Sequence, residues 1–117
     1  MKLEVGQFVR FKDKRNITYI RKIREIPQDN RYASIYLDKE ANYSKGLSLK
    51  NIIKASYNII DILEVGDYVN GLRVNKIVDG KPIHEDYNDP FYSFGWENDD
   101  IKTVITHEQM EQMAYKV

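Results

Sequence analysis

The heptapeptide LEVGQFV begins at Leu3, and a near copy of it, LEVGDYV, begins sixty residues later at Leu63. Five of the seven positions are identical, and the other two exchange Gln for Asp and Phe for Tyr. Self-similarity at a fixed spacing is the signature of a repeated structural unit. With 117 residues, the chain has room for two copies of one very small module. The sequence therefore predicts a tandem repeat.

Each copy predicts two strands joined by a turn. In the second copy the turn is Asn70-Gly71, the pair that most readily adopts positive φ at both central positions of a β-hairpin. In the first copy the basic loop KDKRN takes its place, and removing about six residues aligns IRKI (20–23) with VNKI (74–77). Apolar residues three apart would face opposite sides of a regular strand, so we expect a bulge or strong coiling in both second strands.

Segments further along extend the parallel between the copies. Strands are predicted for YASIYLD and GLSLKNIIKAS in the first copy, for FYSFGW and DIKTVI in the second, and for the closing segments DILEV and AYKV. Thr106 with Gln109 predicts a capping box at the start of a short helix spanning 107–113. Each copy is thus predicted to contain a strand, a loop, three meandering strands, a helical turn and a last strand. This is the order of elements in an SH3-like barrel.

The predicted fold is all-β with one short C-terminal helix, in the form of two tandem SH3-like small barrels packed as one unit. Residues 1–60 form the basic barrel and residues 61–117 the acidic barrel. The expected core of the first barrel consists of Val5, Phe8, Val9, Ile20, Ile23, Ile35, Leu37, Leu49 and Ile52. The expected core of the second consists of Val65, Tyr68, Val69, Val74, Ile77, Phe94, Val104 and Ile105.

The chain has 18 basic and 18 acidic residues, but the two signs are unevenly distributed. Residues 1–54 hold 13 Lys and Arg against 6 Asp and Glu, and residues 55–117 hold 5 against 12, so the halves carry +7 and −7. Such an asymmetry can steer charged partners, and it can equally hold the two halves together. The sequence leaves both interpretations open.

Cysteine is absent, which excludes disulfides, thiolate metal ligands and a cysteine nucleophile. No apolar run is long enough to cross a membrane, and the N-terminal segment has no apolar signal region. We therefore expect a cytoplasmic protein that has no contact with a membrane.

The segments IIKASYNIIDILEVGDYVNGLRVNKI and DDIKTVITHEQMEQMAYKV resemble a group of small accessory proteins encoded by phages and mobile elements of Firmicutes. The resemblance covers roughly residues 50–117. It implies an accessory protein in the bacterial host, in the size range of anti-CRISPR and other anti-defence proteins, and it assigns no functional residue. The pattern VGxxV…KI is also similar to the strand pair of KOW and Tudor-type barrels, which bind nucleic acid or peptides.

Residues suited to catalysis are scarce. His107 is interpreted as an ordinary first-turn residue of the helix, and His84, which precedes Glu85 and Asp86, matches the spacing of no known metal site. The sequence contains no nucleophile elbow, no P-loop and no dinucleotide fingerprint. We therefore predict no enzymatic activity, no metal and no cofactor.

The segment HEDYNDPFYSFGWENDD (84–100) combines carboxylates with aromatic residues and contains no Lys or Arg. An exposed aromatic residue within a carboxylate rim is typical of protein-binding patches, and carboxylates along a strand can imitate nucleic-acid phosphates. A loop that is acidic for solubility around buried aromatics would explain the segment equally well. The predicted protein-binding residues are Glu85, Asp86, Asp89, Trp96, Glu97, Asp99 and Asp100.

The hairpin 10–24 concentrates positive charge among aromatic residues, a combination that suits a phosphate backbone and stacked bases. A solvated hairpin without a partner is the simpler interpretation. The candidate nucleic-acid-binding residues are Arg10, Lys12, Lys14, Arg15, Tyr19, Arg21, Lys22 and Arg24.

Together these patterns predict a non-enzymatic protein that binds and inhibits a host protein, in particular a CRISPR effector or another defence nuclease. Nucleic-acid binding by the hairpin 10–24 is the alternative. Sequestration of a nucleotide signal between the two barrels is a third hypothesis.

Overall fold

The computed structural model describes residues 2–27, 34–38, 47–84 and 98–113. Within these residues the chain is mostly β with one short C-terminal helix, which confirms the predicted fold class. The described strands are β1 (Phe8–Lys12), β2 (Thr18–Glu25), β3 (Ser34–Leu37), β4 (Leu47–Ser48), β5 (Ile52–Ser56), β6 (Tyr68–Val69), β7 (Leu72–Val78), β8 (Lys81–His84) and β9 (Val104–Ile105). The helix α1 spans His107–Met113, and 3₁₀ helices span Leu49–Asn51, Ile59–Ile62 and Asn98–Asp100. Among the described helices, none combines the length and the apolarity that a membrane span requires.

The chain divides into two compact units, Met1–Asn58 and Ile59–Val117. The first unit contains an antiparallel sheet in the order β4-β3-β2-β1-β5, and the second contains one in the order β8-β7-β6-β9. Along the chain, the first unit has the predicted order of strand, loop, three strands, helical turn and last strand, but the turn (Leu49–Asn51) and the last strand (β5) both lie within GLSLKNIIKAS, which was predicted as a single strand. Among the described strands no ladder joins the edge strands of either sheet, so closure into the predicted barrels is not confirmed.

Strand β2 changes partner along its length. Its first part pairs with β1 without interruption, and its last part pairs with β3. Arg24 is the extra residue between the pairs Ile23–Leu37 and Glu25–Tyr36, which makes a β-bulge at the point where the strand turns from one neighbour to the other. The core of this unit lies on one side of the sheet and consists of Val9, Phe11, Ile23, Ile35 and Leu37.

The bulge in β2 lies after Ile23 rather than between Ile20 and Ile23, where it was expected. The two isoleucines are on opposite faces of an unbroken stretch of strand, and both are buried, with 7% and 1% exposure. Both faces of the hairpin are therefore covered at this point. In β7 the register shift falls between Val74 and Lys76, inside the expected interval.

The second unit begins its sheet with the predicted tight hairpin. Asn70 and Gly71 both have positive φ, 52° and 85°, as the two-residue turn requires. The predicted capping box also forms: the Thr106 amide donates to Gln109 Oε1 at 3.1 Å, and the Gln109 amide donates to Thr106 Oγ1 at 3.2 Å. These reciprocal bonds fix the first turn of α1.

Backbone hydrogen bonds show which residues of the two units correspond. The Gly6 amide donates to the carbonyl of Ile23 at 3.0 Å, and the Gly66 amide donates to the carbonyl of Val74 at 2.9 Å. Ile23 is therefore the counterpart of Val74, whereas the alignment by sequence had matched Ile20 with Val74. The repeat is present, but the predicted register of its second strand is wrong by three residues.

The three-residue shift follows from the length of the first hairpin. Val9 pairs with Arg21, twelve positions on, whereas Val69 pairs with Leu72, three positions on. The first hairpin is thus nine residues longer than the second, rather than about six. The extra residues lengthen β1 and β2 beyond their counterparts β6 and β7.

The corrected register also corrects the predicted cores. Ile77 is 41% exposed, Val5 and Val65 are each 54% exposed, and Ile105 is 36% exposed, so these four residues do not belong to a core. Expected core residues that are buried are Val9, Ile20, Ile23, Ile35, Leu37, Val69 and Val74. Buried residues that the prediction omitted include Phe11, Ile17, Ile62, Leu63 and Ile83.

The segment DILEV forms no strand, contrary to prediction. Its first residues belong to the 3₁₀ helix Ile59–Ile62, and Ile62 and Leu63 are only 1% and 2% exposed. The last strand of the first sheet is instead β5, which pairs with β1. The predicted strands FYSFGW and AYKV and the predicted core residue Phe94 lie outside the described residues.

Candidate functional site

The repeated heptapeptide forms the same turn in both units. The Gln7 amide donates to the Glu4 carbonyl at 3.2 Å, and Gln7 Oε1 accepts from the Glu4 amide at 2.9 Å. In the second unit the Asp67 amide donates to the Glu64 carbonyl at 3.1 Å, and Asp67 Oδ2 accepts from the Glu64 amide at 2.8 Å. The glycine in each turn has a φ of 95° or 99°, a conformation that glycine adopts with little strain. The repeat thus encodes a turn closed by a side chain.

Asp67 makes one contact that Gln7 does not make. Its second oxygen, Oδ1, accepts from the amide of His107 at 3.0 Å, and the side chain is fully buried. A single buried carboxylate therefore holds the first residue of α1 against the turn that carries Glu64. Charge-assisted hydrogen bonds of this kind are about twice as strong as neutral ones.

The turn and the helix bring three functional side chains together. His107 Nε2 lies 2.7 Å from Glu108 Oε1 and 3.5 Å from Glu64 Oε1. All three side chains are between 27% and 35% exposed, so they are sheltered but reachable from solvent. Sequence reasoning missed this cluster because Glu64 and His107 are 43 positions apart and only the fold joins them.

The first unit has a different group at the corresponding place. Tyr57 lies beside Gly6, since its Cε1 would be 3.6 Å from a Cβ placed on that glycine. Its hydroxyl donates to Glu4 Oε2, and this hydrogen bond raises the pKa of the Tyr57 hydroxyl above its usual value. The glutamate of the turn thus has a tyrosine as its partner in one unit and a histidine in the other.

The close approach of His107 to Gly66 gives a testable difference between glycines. We expect Gly66→Ala to destabilise the protein more than Gly71→Ala, because the new Cβ would lie 3.2 Å from His107 Cβ, whereas at Gly71 it would meet no described atom within 4 Å. Both positions have positive φ, so each substitution also incurs about 1 kcal/mol of backbone strain. Urea denaturation of the two variants measures the difference, and equal losses would contradict the packing argument.

The structure changes the list of accessible cations on the basic hairpin. Arg10 is only 1% exposed and makes contacts within the chain, so it is not accessible to a phosphate backbone. It occupies the middle of β1, where its backbone is paired with Ile20 on β2 and with Lys54 on β5. The alternating pattern of the strand did not reveal this because both faces of the hairpin are buried.

Arg15 and Arg21 are both held by neighbouring groups. The Arg15 guanidinium donates to Asp13 Oδ2 from Nε and Nη2, each at 3.2 Å, and to the Tyr19 hydroxyl at 2.7 Å. Arg21 Cζ lies 5.5 Å from the centroid of the Tyr19 ring, and its Nη1 donates to the Ile20 carbonyl at 2.8 Å. Tyr19 is therefore engaged by two arginines rather than available to stack on a base.

Five of the predicted cations are exposed: Arg15, which is bound to Asp13, and also Lys12, Lys14, Lys22 and Arg24. Two of them lie above aromatic rings, with Lys22 Nζ 5.6 Å from the centroid of Phe8 and Arg24 Cζ 5.9 Å from that of Tyr36. These contacts hold the charged groups at the surface of the sheet. The hairpin thus presents a cationic surface, smaller than the sequence suggested.

The acidic segment is described only at its ends. Glu85, Asp86, Asp89, Trp96 and Glu97 lie outside the described residues, whereas Asp99 and Asp100 are exposed on the 3₁₀ helix Asn98–Asp100. His84 ends β8. The structure therefore locates two of the seven predicted protein-binding residues.

Asn70 fixes the backbone at the end of this 3₁₀ helix. Its Nδ2 donates to the Asp100 carbonyl at 2.7 Å, and its Oδ1 accepts from the amides of Lys102 and Thr103 at 2.8 and 3.1 Å. Its backbone amide donates to the Thr103 carbonyl at 2.9 Å. The residue predicted only as a turn former thus also anchors the end of the acidic segment to the β6–β7 hairpin.

Comparison of the chain with protein-family models, with curated proteins and with solved structures found no match.

Proposed function

We propose that this chain is a non-enzymatic binding protein whose acidic segment 84–100 contacts a basic surface of a host protein. The observation that supports this most is that Asp99 and Asp100 are exposed on a 3₁₀ turn whose last backbone carbonyl, that of Asp100, is bound by Asn70. A segment whose backbone is already anchored loses less conformational freedom on binding, so more of the interaction energy contributes to affinity.

The chemistry of the whole segment fits a partner that normally binds nucleic acid. Its six carboxylates and five aromatic residues, with no Lys or Arg, offer both negative charge and apolar anchors. A nuclease has a basic groove that such a surface can occupy in place of phosphates. The resemblance to accessory proteins of phages and mobile elements supports a defence nuclease, such as a CRISPR effector, as the target class.

Substitution tests this proposal directly. We expect reversal of charge at Asp99 and Asp100, together with Trp96→Ala, to abolish recovery of the host protein on the tagged chain, because charge attraction and the aromatic anchor are both removed. Replacement of Lys12, Lys22 and Arg24 by Ala is the matched control and should leave recovery unchanged. The opposite pattern would contradict the proposal, and circular dichroism establishes that both variants fold.

Nucleic-acid binding by the hairpin is the second candidate, supported by four exposed cations that flank the Asp13–Arg15 pair: Lys12, Lys14, Lys22 and Arg24. If all four contact phosphates, affinity for duplex DNA should fall about a hundredfold between 50 and 200 mM salt, because each neutralised phosphate contributes about −0.9 to the slope of log K against log salt. Replacing one lysine by Ala should reduce the magnitude of that slope by about one. Fluorescence anisotropy measures the slope, and binding that is insensitive to salt would exclude this mode.

A further inference from the structure

We infer that Glu64, His107 and Glu108 form a binding site for a divalent transition metal ion, with Zn²⁺ as the best-suited ion. One imidazole nitrogen and two carboxylate oxygens, one from each side chain, lie within 4.8 Å of one another. Imidazole with carboxylates is a donor set that Zn²⁺ accepts in proteins, whereas Mg²⁺ and Ca²⁺ prefer oxygen ligands alone. The site is independent of the binding surfaces proposed above.

The distances suit a small ion after one modest adjustment. The 3.5 Å between His107 Nε2 and Glu64 Oε1 is close to the ligand–ligand edge of about 3.4 Å expected in a tetrahedral Zn²⁺ site. Glu108 Oε1 is only 2.7 Å from Nε2, shorter than that edge by less than an ångström, so it must move outward by that amount to become a ligand. Its long, partly exposed side chain can do so by rotation of its torsions.

The backbone of the site is already fixed. Asp67 binds the amide of Glu64 through Oδ2 at 2.8 Å and the amide of His107 through Oδ1 at 3.0 Å, so one buried residue positions both segments that carry ligands. Gly66 permits the close approach, since a Cβ there would lie only 3.2 Å from His107 Cβ. Preorganised ligands of this kind reduce the entropy lost when the ion binds.

The first unit provides an internal comparison. Its turn has the same backbone hydrogen bonds, but Gln7 replaces Asp67, and Tyr57, a poor metal ligand, contacts the turn glutamate Glu4. Among the described residues, those that would make this metal site lie in the second copy of the repeat. With three protein ligands, the fourth position of a tetrahedral ion would be open to water.

Titration of the full chain with Zn²⁺, compared with Mg²⁺, tests the inference. We expect saturable binding of one Zn²⁺ per chain by calorimetry, a change in the imidazole ¹⁵N resonances of His107 but not of His84, and no binding of Mg²⁺. Glu64→Gln and His107→Gln should each weaken Zn²⁺ binding at least about tenfold, as is typical even for partners outside the ligand set. Glu111→Gln, which changes an exposed carboxylate of the same helix outside the cluster, is the matched control.

Other outcomes would overturn the inference. Absence of saturable Zn²⁺ binding, or binding that is unchanged in Glu64→Gln and His107→Gln but lost in His84→Gln, would exclude a site at this cluster. If His107→Gln fails to fold, Glu108→Gln carries the same test, because the capping box that starts the helix is formed by Thr106 and Gln109. Unchanged affinity in that variant would likewise contradict a three-ligand site.

Discussion

Substitution of Asp67 by Ala is expected to lower the free energy of unfolding by about 2–4 kcal/mol, since a buried donor without a partner costs about 1–3 kcal/mol. The variant leaves two backbone amides, those of Glu64 and His107, without the carboxylate that accepts from them. It also creates a small cavity at a position with no solvent exposure.

Gln7→Ala is the matched control for this prediction. Gln7 occupies the same position of the same turn, but its side chain is only half-buried and accepts from one amide, that of Glu4. We expect a loss of about 1 kcal/mol, the usual net contribution of one hydrogen bond. Urea denaturation followed by circular dichroism measures both variants, and equal losses would show that the bond from Asp67 to α1 adds nothing to stability.

Ile23→Ala and Ile77→Ala form the second pair with a large expected difference. The alignment by sequence made these two isoleucines equivalent, whereas Ile23 is 1% exposed and Ile77 is 41% exposed. We expect a loss of about 2–5 kcal/mol for Ile23→Ala, as for other buried large-to-small substitutions. For the exposed Ile77 we expect less than about 1 kcal/mol.

Val74→Ala completes the comparison, because Val74 is the true counterpart of Ile23 and has no solvent exposure. It should also destabilise the protein, by about 1–3 kcal/mol for the smaller side chain. The same urea titration measures all three variants. A larger loss at position 77 than at position 74 would restore the alignment based on sequence and contradict the register observed between β6 and β7.

Features that depend on neighbouring residues could be predicted from the sequence. The Asn70-Gly71 turn, the capping box of Thr106 and Gln109, and the helix that follows all depend on interactions over two to four positions. The fold class followed from the same local signals, because short strands separated by turns favour an all-β chain. The LEVG turn could also be anticipated from its glycine, although not its closing side chain.

Features that depend on distant parts of the chain could not be predicted. The similarity of IRKI to VNKI led to a wrong alignment of the two second strands. The correct alignment is defined by the backbone hydrogen bonds of Gly6 and Gly66, which cannot be read from the sequence. Arg10 was counted as exposed because polarity alone does not show that a strand is covered on both faces. The cluster around His107 requires Glu64, which only the fold brings near.

The two copies of the module differ most where they carry functional groups. The hairpin of the first copy is nine residues longer than that of the second and carries Lys12, Lys14 and Lys22. The second has a short hairpin whose Asn70 anchors acidic residues, and a turn whose Asp67 anchors a histidine. The two copies thus share the same turn, whereas the charged residues described around it are basic in the first copy and acidic in the second.

Affinity capture of the tagged, full-length chain from host lysate, with and without nuclease treatment and followed by mass spectrometry, tests the central claim most directly. Our account predicts one protein recovered in stoichiometric amount whether or not nuclease is added, because the acidic segment binds the protein itself. A heterogeneous set of proteins that disappears after nuclease treatment would contradict that claim, and it would assign the function to the cations of the basic hairpin.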